Sequence, residues 1–425
     1  MNSYRTSTWG DEISLEYGKS LKGYQNFNGK YQVFGSNGPI GWTDKPLCKG
    51  PGIILGRKGA YRGVKYSDKD FYVIDTAYYV VPKTDLDLNW LYYAIKYYKL
   101  GEIDDGSPIP STTRAAVYVR EFDIPSKEVQ IKIGNILNKI DSKIELNNQI
   151  NQTLESIAQA LFKSWFIDFE PVRAKIAAKQ TGQDPEFAAM CAISGKSEAE
   201  LKQMSEDDFA ELQATAALFP YELVESDLGE VPRGWEVKSL DKIANYQNGL
   251  ALQKFRPENE NDFLPIVKIA QLKSGIATIE EKASPNIDVK SVIDNGDVVF
   301  SWSGSLMVDI WCGGKAALNQ HLFKVTSTKY PKWLYYCYTK HHLAEFQRIA
   351  QAKAVTMGHI KREHLSQALC AVPCEKMLDV SGILESILQK QIKFRLENNN
   401  LMQIRDSLLP KLLSGEVGVD LVSEV

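Results

Sequence analysis

The stretch IKIGNILNKIDSKIELNNQINQTLESIAQALFKSWF, residues 131–166, decides how the rest of the chain is read. Apolar or small residues recur there at alternating three- and four-residue steps: Ile133, Leu137, Ile140, Ile144, then Asn147 and Asn151, then Leu154, Ala158, Leu161 and Trp165. A 3.5-residue period belongs to a coiled-coil seam. The stretch contains no Pro and one Gly, Gly134. The alternative is an ordinary amphipathic helix of a globular core, but such patterns rarely exceed ~25 residues without a cap.

Working outward, the same pattern returns. Displaced by 247 residues, the run 381–413 overlies the first without a gap: Ile136 falls on Ile383, Leu137 on Leu384, Ile140 on Ile387, Asn151 on Asn398, Leu154 on Leu401, Ile157 on Ile404 and Leu161 on Leu408. A helix with an apolar stripe has to bury it, so two such helices are natural partners. The expected seam is Leu137, Ile140, Ile144, Asn147, Asn151, Leu154 and Leu161 on the first helix. On the second it is Leu384, Ile387, Phe394, Asn398, Leu401 and Leu408. A buried Asn fixes register at some cost in stability, so Asn147 or Asn151 is expected to meet Asn398.

The helices divide the chain. Residues 1–124 read as a strand-rich mixed domain and 125–171 as the first long helix, stopped by Pro171. Residues 172–232 form a helical acidic spacer with little β signal, 233–373 a second mixed domain, and 374–425 the second long helix and tail. The two mixed domains echo each other. NWLYYAIKYY (89–98) matches KWLYYCYTKH (332–341), IILGRKGA (53–60) lies over VVFSWSGS (298–305), and DTAYYV (75–80) over NQHLFK (319–324), so that Tyr79 meets Phe323. FYVIDTAYYVVP (71–82) reads as one buried strand. The fold class expected is α+β: two similar mixed domains joined by two long helices. A shared frame with diverged loops is what two different recognition sites require.

Composition narrows the class. At 425 residues the chain has room for two to four domains, and its 44% hydrophobic and 24% charged content is that of a soluble globular protein. No apolar run reaches the ~18 residues of a membrane span. MNSYRTSTWG does not read as a signal peptide, and six scattered cysteines suit a reducing cytoplasm. The net charge of −3 hides an asymmetry: residues 186–230 hold 11 acidic and 2 basic side chains, which leaves the remainder at +6. A basic frame with an acidic insert is compatible with DNA binding.

Catalytic motifs are weak. Gly195-Lys196-Ser197 resembles the tail of a phosphate loop, but Met190 stands where the first Gly is required. The Asn/Asp-Pro-Pro-aromatic loop of adenine methylation is not found. Glu236-Val237-Lys238 is a minimal nuclease triplet of a kind common by chance. His341, His342, His359, His364, Cys370 and Cys374 cluster in the second domain, but their spacing matches no common zinc site, and buried thiols with surface imidazoles are the preferred reading.

The positive signal is basic. Arg57, Lys58, Arg62 and Lys65 lie in a glycine-rich loop with Tyr61 and Tyr66, where Arg can read guanine edges and Lys can hold phosphates. In the second domain the DNA-binding candidates are Trp302, Ser303, Lys315, Lys353, Thr356, His359, Lys361 and Arg362. For each, a solvated surface side chain is the plain alternative. Phe162, Trp165, Phe166 and Phe169 are either packing against the adjacent domain or a hydrophobic landing site for another subunit.

The stretches ALFKSWFIDFEPVRAK (160–175), SLLPKLLSGEV (407–417), ALNQHLFKV (317–325) and VPRGWEVKSL (231–240) resemble the specificity subunit of type I restriction–modification enzymes, and the resemblance covers essentially the whole chain. It implies that each mixed domain is a target recognition domain for one half of a bipartite, asymmetric DNA site. It implies that the long helices pack as an antiparallel coiled coil that acts as a spacer ruler. The chain itself would carry no catalysis, cofactor or metal. Two modification subunits would bring S-adenosylmethionine and adenine methylation, and restriction subunits ATP and Mg. The first domain departs from the pattern in lacking the VPRGWEV entrance of the second. The competing classes are a tethering coiled-coil protein without sequence-specific DNA binding and an enzyme of unfamiliar chemistry.

Overall fold

The computed structural model describes residues 4–25, 29–104, 106, 108–352, 358–380 and 382–419. The chain divides into two compact units, one formed by residues 1–146 with 400–425, the other by 147–399. The long helices Lys127–Phe162 and Gly382–Leu413 each contribute one part to each unit.

In the first unit the sheet order is Ile13–Tyr17, Ala77–Pro82, Gly52–Gly56, Val64–Ser67, all antiparallel. Every residue of the central strand Gly52–Gly56 is buried. Its period-two alternation serves two cores: Ile53 and Leu55 join the cluster containing Trp90 and Leu91 of helix Leu88–Tyr97, while Ile54 joins Phe34, Phe71 and Val73. A second sheet carries Gly38–Thr43, Tyr31–Gly35 and Phe71–Val73. FYVIDTAYYVVP is thus two strands in two sheets, Phe71–Val73 and Ala77–Pro82, rather than one. The intervening Ile74-Asp75-Thr76 turns the chain, with Ala77 N donating to Ile74 O at 3.1 Å. The ladder Arg5–Thr8 with Glu121–Ile124 closes the domain.

The second unit repeats this frame. Asn245–Asn248, Leu322–Thr326, Val298–Ser301 and Met307–Ile310 form the antiparallel sheet. Val298–Ser301 is again fully buried, with Val298 and Phe300 in one core and Val299 in another. Helix Lys332–His341 takes the place of Leu88–Tyr97, and Glu236–Ser239 pairs with Leu369–Val372 as Arg5–Thr8 does with Glu121–Ile124. The strand register corrects one alignment. Ile53 pairs with Val80 and Val298 with Val325, so Phe323 corresponds to Tyr78, not to Tyr79. A one-residue slip moves every side chain to the other face; Tyr78 and Phe323 are both buried.

The helices pair antiparallel within each unit. In the first, Asp141 meets Arg405 at 2.7 Å, and Ile133 and Leu137 share a cluster with Leu412 and Leu413, with Ile136, Leu408 and Leu409 packed against it. In the second, Asn147 Nδ2 donates to Asn398 Oδ1 at 2.9 Å, and Gln391 Nε2 donates to Glu155 Oε2 at 3.1 Å. None of the expected seam residues is exposed: Leu137, Asn147, Leu384, Ile387 and Asn398 are buried, and Ile140, Ile144, Asn151, Leu154, Leu161, Phe394, Leu401 and Leu408 are half-buried. Of the two Asn candidates it is Asn147 that meets Asn398. The Asn151 carbonyl accepts instead from Gln391 Nε2 at 3.4 Å.

Two boundaries differ from expectation. The first helix ends at Phe162 and widens into a π-turn, Lys163–Ile167. Phe169, left-handed at φ 54°, then reverses the chain, and Pro171 opens the helix Glu170–Thr181 rather than stopping its predecessor. Pro suits a first helical turn because the N–H it lacks would have no intrahelical partner there. The acidic spacer holds helices Glu170–Thr181, Pro185–Ser194, Glu198–Leu201 and Glu206–Ala217, and also a hairpin, Leu223–Ser226 with Gly229–Pro232. Its buried Lys175 is matched by the Glu186 carboxylate at 2.9 Å and the Phe219 carbonyl at 2.8 Å, as a buried charge requires.

Candidate nucleic-acid interface

Strand register identifies corresponding positions at the ends of the two central strands. Arg57 follows Gly52–Gly56 and Trp302 follows Val298–Ser301 at the same place. Each then hydrogen-bonds a returning segment in the same way: Thr112 N donates to Arg57 O at 2.9 Å, and Ile360 N to Trp302 O at 3.0 Å. Gly59 N donates to Pro110 O at 3.0 Å, and Gly304 N to Gly358 O at 2.8 Å. Arg114 and Arg362 therefore correspond. Arg114 Nε donates to Leu15 O at 2.6 Å, and Arg362 Nη2 to Tyr246 O at 3.0 Å, the matching carbonyl of the matching strand.

Aromatic rings floor both sites. The Arg57 guanidinium lies 4.9 Å from the Tyr17 ring centroid and 5.8 Å from that of Tyr78, and Arg114 lies 4.3 Å from Tyr17. Arg114 is also 3.3 Å from the Glu16 carboxylate. Tyr78 Oη donates to Thr112 O at 3.2 Å, which ties the returning segment to the sheet, and burial raises its phenol pKa above the usual value. In the second domain Trp302 packs at 5.8 Å from Phe323, 5.9 Å from His321 and 6.4 Å from His359, and Arg362 lies 5.5 Å from Phe323. Such cation–π contacts contribute about 0.5–2 kcal/mol and hold a cation in place without consuming its hydrogen-bond donors.

The sequence candidates separate on this geometry. Lys58, Lys65, Lys315, His359, Lys361 and Arg362 are exposed, and Tyr61 is 78% exposed. Arg57 and Trp302 are half-buried. Arg62 is a structural residue: its guanidinium donates to the carbonyls of Gly59 at 2.7 Å, Gly101 at 2.8 Å and Ile103 at 3.3 Å. Those bonds leave it little capacity for base edges. Ser303 is buried, and its hydroxyl faces His321 Nδ1 at 3.0 Å, which likewise removes it from a reading surface. Lys353 and Thr356 lie outside the described residues. Arg114 and His321, which pack on Tyr17 and beside Trp302, lie at the same two strand ends without being among the sequence candidates. The 245-residue shift that aligns the central strands places Arg114 on His359, three residues short of Arg362, so it does not pair the two arginines.

The four helix-end aromatics form a core. Phe162, Trp165, Phe166 and Phe169 are 5%, 3%, 1% and 5% exposed and pack with Trp235, Trp333, Tyr338 and Phe219. A landing site for another subunit needs accessible surface, so packing against the adjacent domain is the reading the structure supports. The second domain's imidazoles have structural partners as well. His364 Nδ1 accepts from Lys361 N at 2.9 Å and caps helix Arg362–Gln367, and His342 Nε2 lies 3.0 Å from the Leu369 carbonyl. Among the described residues no group of three or more His, Cys, Asp or Glu is placed to hold a metal, and no helix is long and apolar enough to cross a membrane.

One frame used twice, with different side chains at the same loop-end positions, defines a dual-recognition protein. The model of the type I restriction modification DNA specificity domain matches residues 6–156 and 232–373. The chain belongs to the type I restriction–modification specificity-subunit family, whose members recognise sequence and are not the catalytic subunits. It is 32% identical over 378 residues to the HindI specificity subunit of Haemophilus influenzae, covering 83% of this chain and 82% of that one. It is 26% identical over 355 residues to the MjaIX specificity subunit of Methanocaldococcus jannaschii, covering 80% and 72%. In fold it is similar to a type I restriction–modification S subunit from M. genitalium, with a TM-score of 0.55 at 16% identity over 97% of this chain and 96% of that one.

Proposed function

We propose that each mixed domain reads one half of a bipartite, asymmetric DNA site, and that the paired helices set the number of base pairs between the halves. The observation that carries this reading is the doubled frame with unlike side chains at one matched position, Arg57 in one domain and Trp302 in the other. Identical frames give both domains one way of docking on a duplex. The unlike residues then give each its own base preference. Lys58 and Lys65 contact phosphates beside the first reading position, and His359 and Lys361 serve the second, with Lys353 and Thr356 as further candidates; Lys315 is set apart from it, because Gly314 bonds Asn295 at the opposite end of strand Val298–Ser301.

Chemistry comes from elsewhere. Two modification subunits bound to this chain supply S-adenosylmethionine and methylate adenine, and restriction subunits supply ATP- and Mg-dependent cleavage, all in the cytoplasm. The test is to express the chain with its modification partners and map methylated adenines across a genome. A single bipartite motif with a fixed gap is expected. Methylation without sequence preference, or none that depends on this chain, would favour a tethering protein. Gel shifts of the assembled complex should weaken linearly with log salt concentration, by about one unit of slope per phosphate contacted.

A further inference from the structure

The correspondence of the two frames carries one step more, at the residue that follows each central strand. The buried Nε of Arg57 and the buried Nε1 of Trp302 both lack a hydrogen-bond partner among the described residues. Among the described residues, unpaired indole N–H groups also occur at Trp9, Trp90 and Trp165 inside the packed cores, so what marks Arg57 and Trp302 is their matched, half-buried place at the end of each central strand. Arg57 is held over two rings, of which Tyr17 is 46% exposed. Its neighbour Arg114 is already spent on the Leu15 carbonyl and the Glu16 carboxylate. Arg57 thus presents a restrained planar fork whose donors meet no acceptor among the described residues.

Two groups on DNA match that fork: the O6/N7 edge of guanine and a phosphate. A phosphate is equally well served by a flexible point charge, and exposed Lys58 stands in the same loop, with exposed Lys65 on the adjoining strand Val64–Ser67 rather than in the loop as the sequence suggests. A fork oriented by stacking gains most from a flat edge with two acceptors in fixed positions. Trp302 offers one N–H and no charge, and cannot satisfy both acceptors. We infer that Arg57 reads a guanine in the half-site of the first domain, and that Trp302 holds the corresponding reading position in the second without a guanine preference. This rests on the function proposed above.

The test compares Arg57→Gln, Arg57→Lys and Trp302→Arg with the unaltered chain, each assembled with modification subunits, by methylation-site mapping and thermal melting. Arg57→Gln should lower the preference for one guanine in one half-site by about 10- to 100-fold, leaving the other half-site unchanged. Arg57→Lys keeps the cation over the rings but not the fork, and should lose the same guanine; it carries the test if the Gln variant melts early. Trp302→Arg should introduce a guanine preference in the other half-site. Uniform weakening at all sequences, with a salt slope reduced by about one, would make Arg57 a phosphate contact and overturn the inference. An unchanged recognition motif in the Arg57 variants would overturn it too, and no new preference in Trp302→Arg would overturn the correspondence. If the unaltered chain directs no sequence-selective methylation, the functional reading fails first.

Discussion

At the residue scale, the fate of a basic or aromatic side chain depends on what carbonyls and rings surround it. Arg57 and Arg62 stand five positions apart in one glycine-rich loop, yet three backbone carbonyls occupy Arg62 and, among the described residues, none occupies Arg57. His342 makes the same point for titration. Burial, and next the neighbouring His341, pull its pKa down from 6.5 to about 4. A histidine with a depressed folded-state pKa favours the neutral form, so its contribution is complete above pH 6.5 and is lost as pH falls towards 4. Melting temperature should therefore drop over pH 6.5–4, and His342→Gln should flatten that drop. The difference expected is of order 1–3 kcal/mol; identical pH profiles for the two proteins would contradict the assignment.

At the element scale, the long helices carry two residues whose value is positional. Gly134 lets the N-terminus of helix Leu88–Tyr97 approach, since a Cβ there would lie 2.8 Å from Asp87 Oδ1 and 2.9 Å from Trp90 N. Those two atoms form that helix's N-cap bond at 2.9 Å. Gly→Ala in an exposed helix stabilises by about 1 kcal/mol, but Gly134→Ala should destabilise by ~1–3 kcal/mol in denaturant unfolding, because the methyl overpacks the cap. The second residue is Asn398, bonded to Asn147 and, through its Nδ2, to Asn148 Oδ1 at 2.9 Å. Asn398→Leu removes one of the two acceptors of the buried Asn147 amide, the Glu397 carboxylate at 3.0 Å being the other, at a cost of about 1–3 kcal/mol, and should loosen the spacing between half-sites. Were melting temperature and spacing both to stay at wild-type values, Asn398 would have no role in register.

At the scale of the whole molecule, separable domains predict separable specificities. Replacing residues 1–123 with those of a relative should change one half-site of the methylated motif and leave the other intact; a change in both would refute independence. Removing one heptad from each long helix shortens each by ~10 Å, the rise of about three base pairs. The tolerated gap should shift while the half-site sequences stay. Altered half-sites with an unchanged gap would count against the ruler.

What could be read from residues alone was whatever depends on local periodicity: the 3.5-residue seam, its copy 247 positions later, the helices at Trp90 and Trp333, and the family that these stretches resemble. Periodicity and propensity act between near neighbours, so they survive in the linear order. Three features depended on pairing between distant segments. Strand register matched Tyr78 rather than Tyr79 to Phe323, because a slip of one residue leaves composition unchanged while exchanging the faces of a strand. Close packing turned Phe162, Trp165, Phe166 and Phe169 into core, since only the folded chain brings Trp235 and Trp333 against them. And the choice of Arg57 over Arg62 as the residue with donors to offer rests on the carbonyls of Gly101 and Ile103, some forty residues away in sequence and within hydrogen-bonding distance in space.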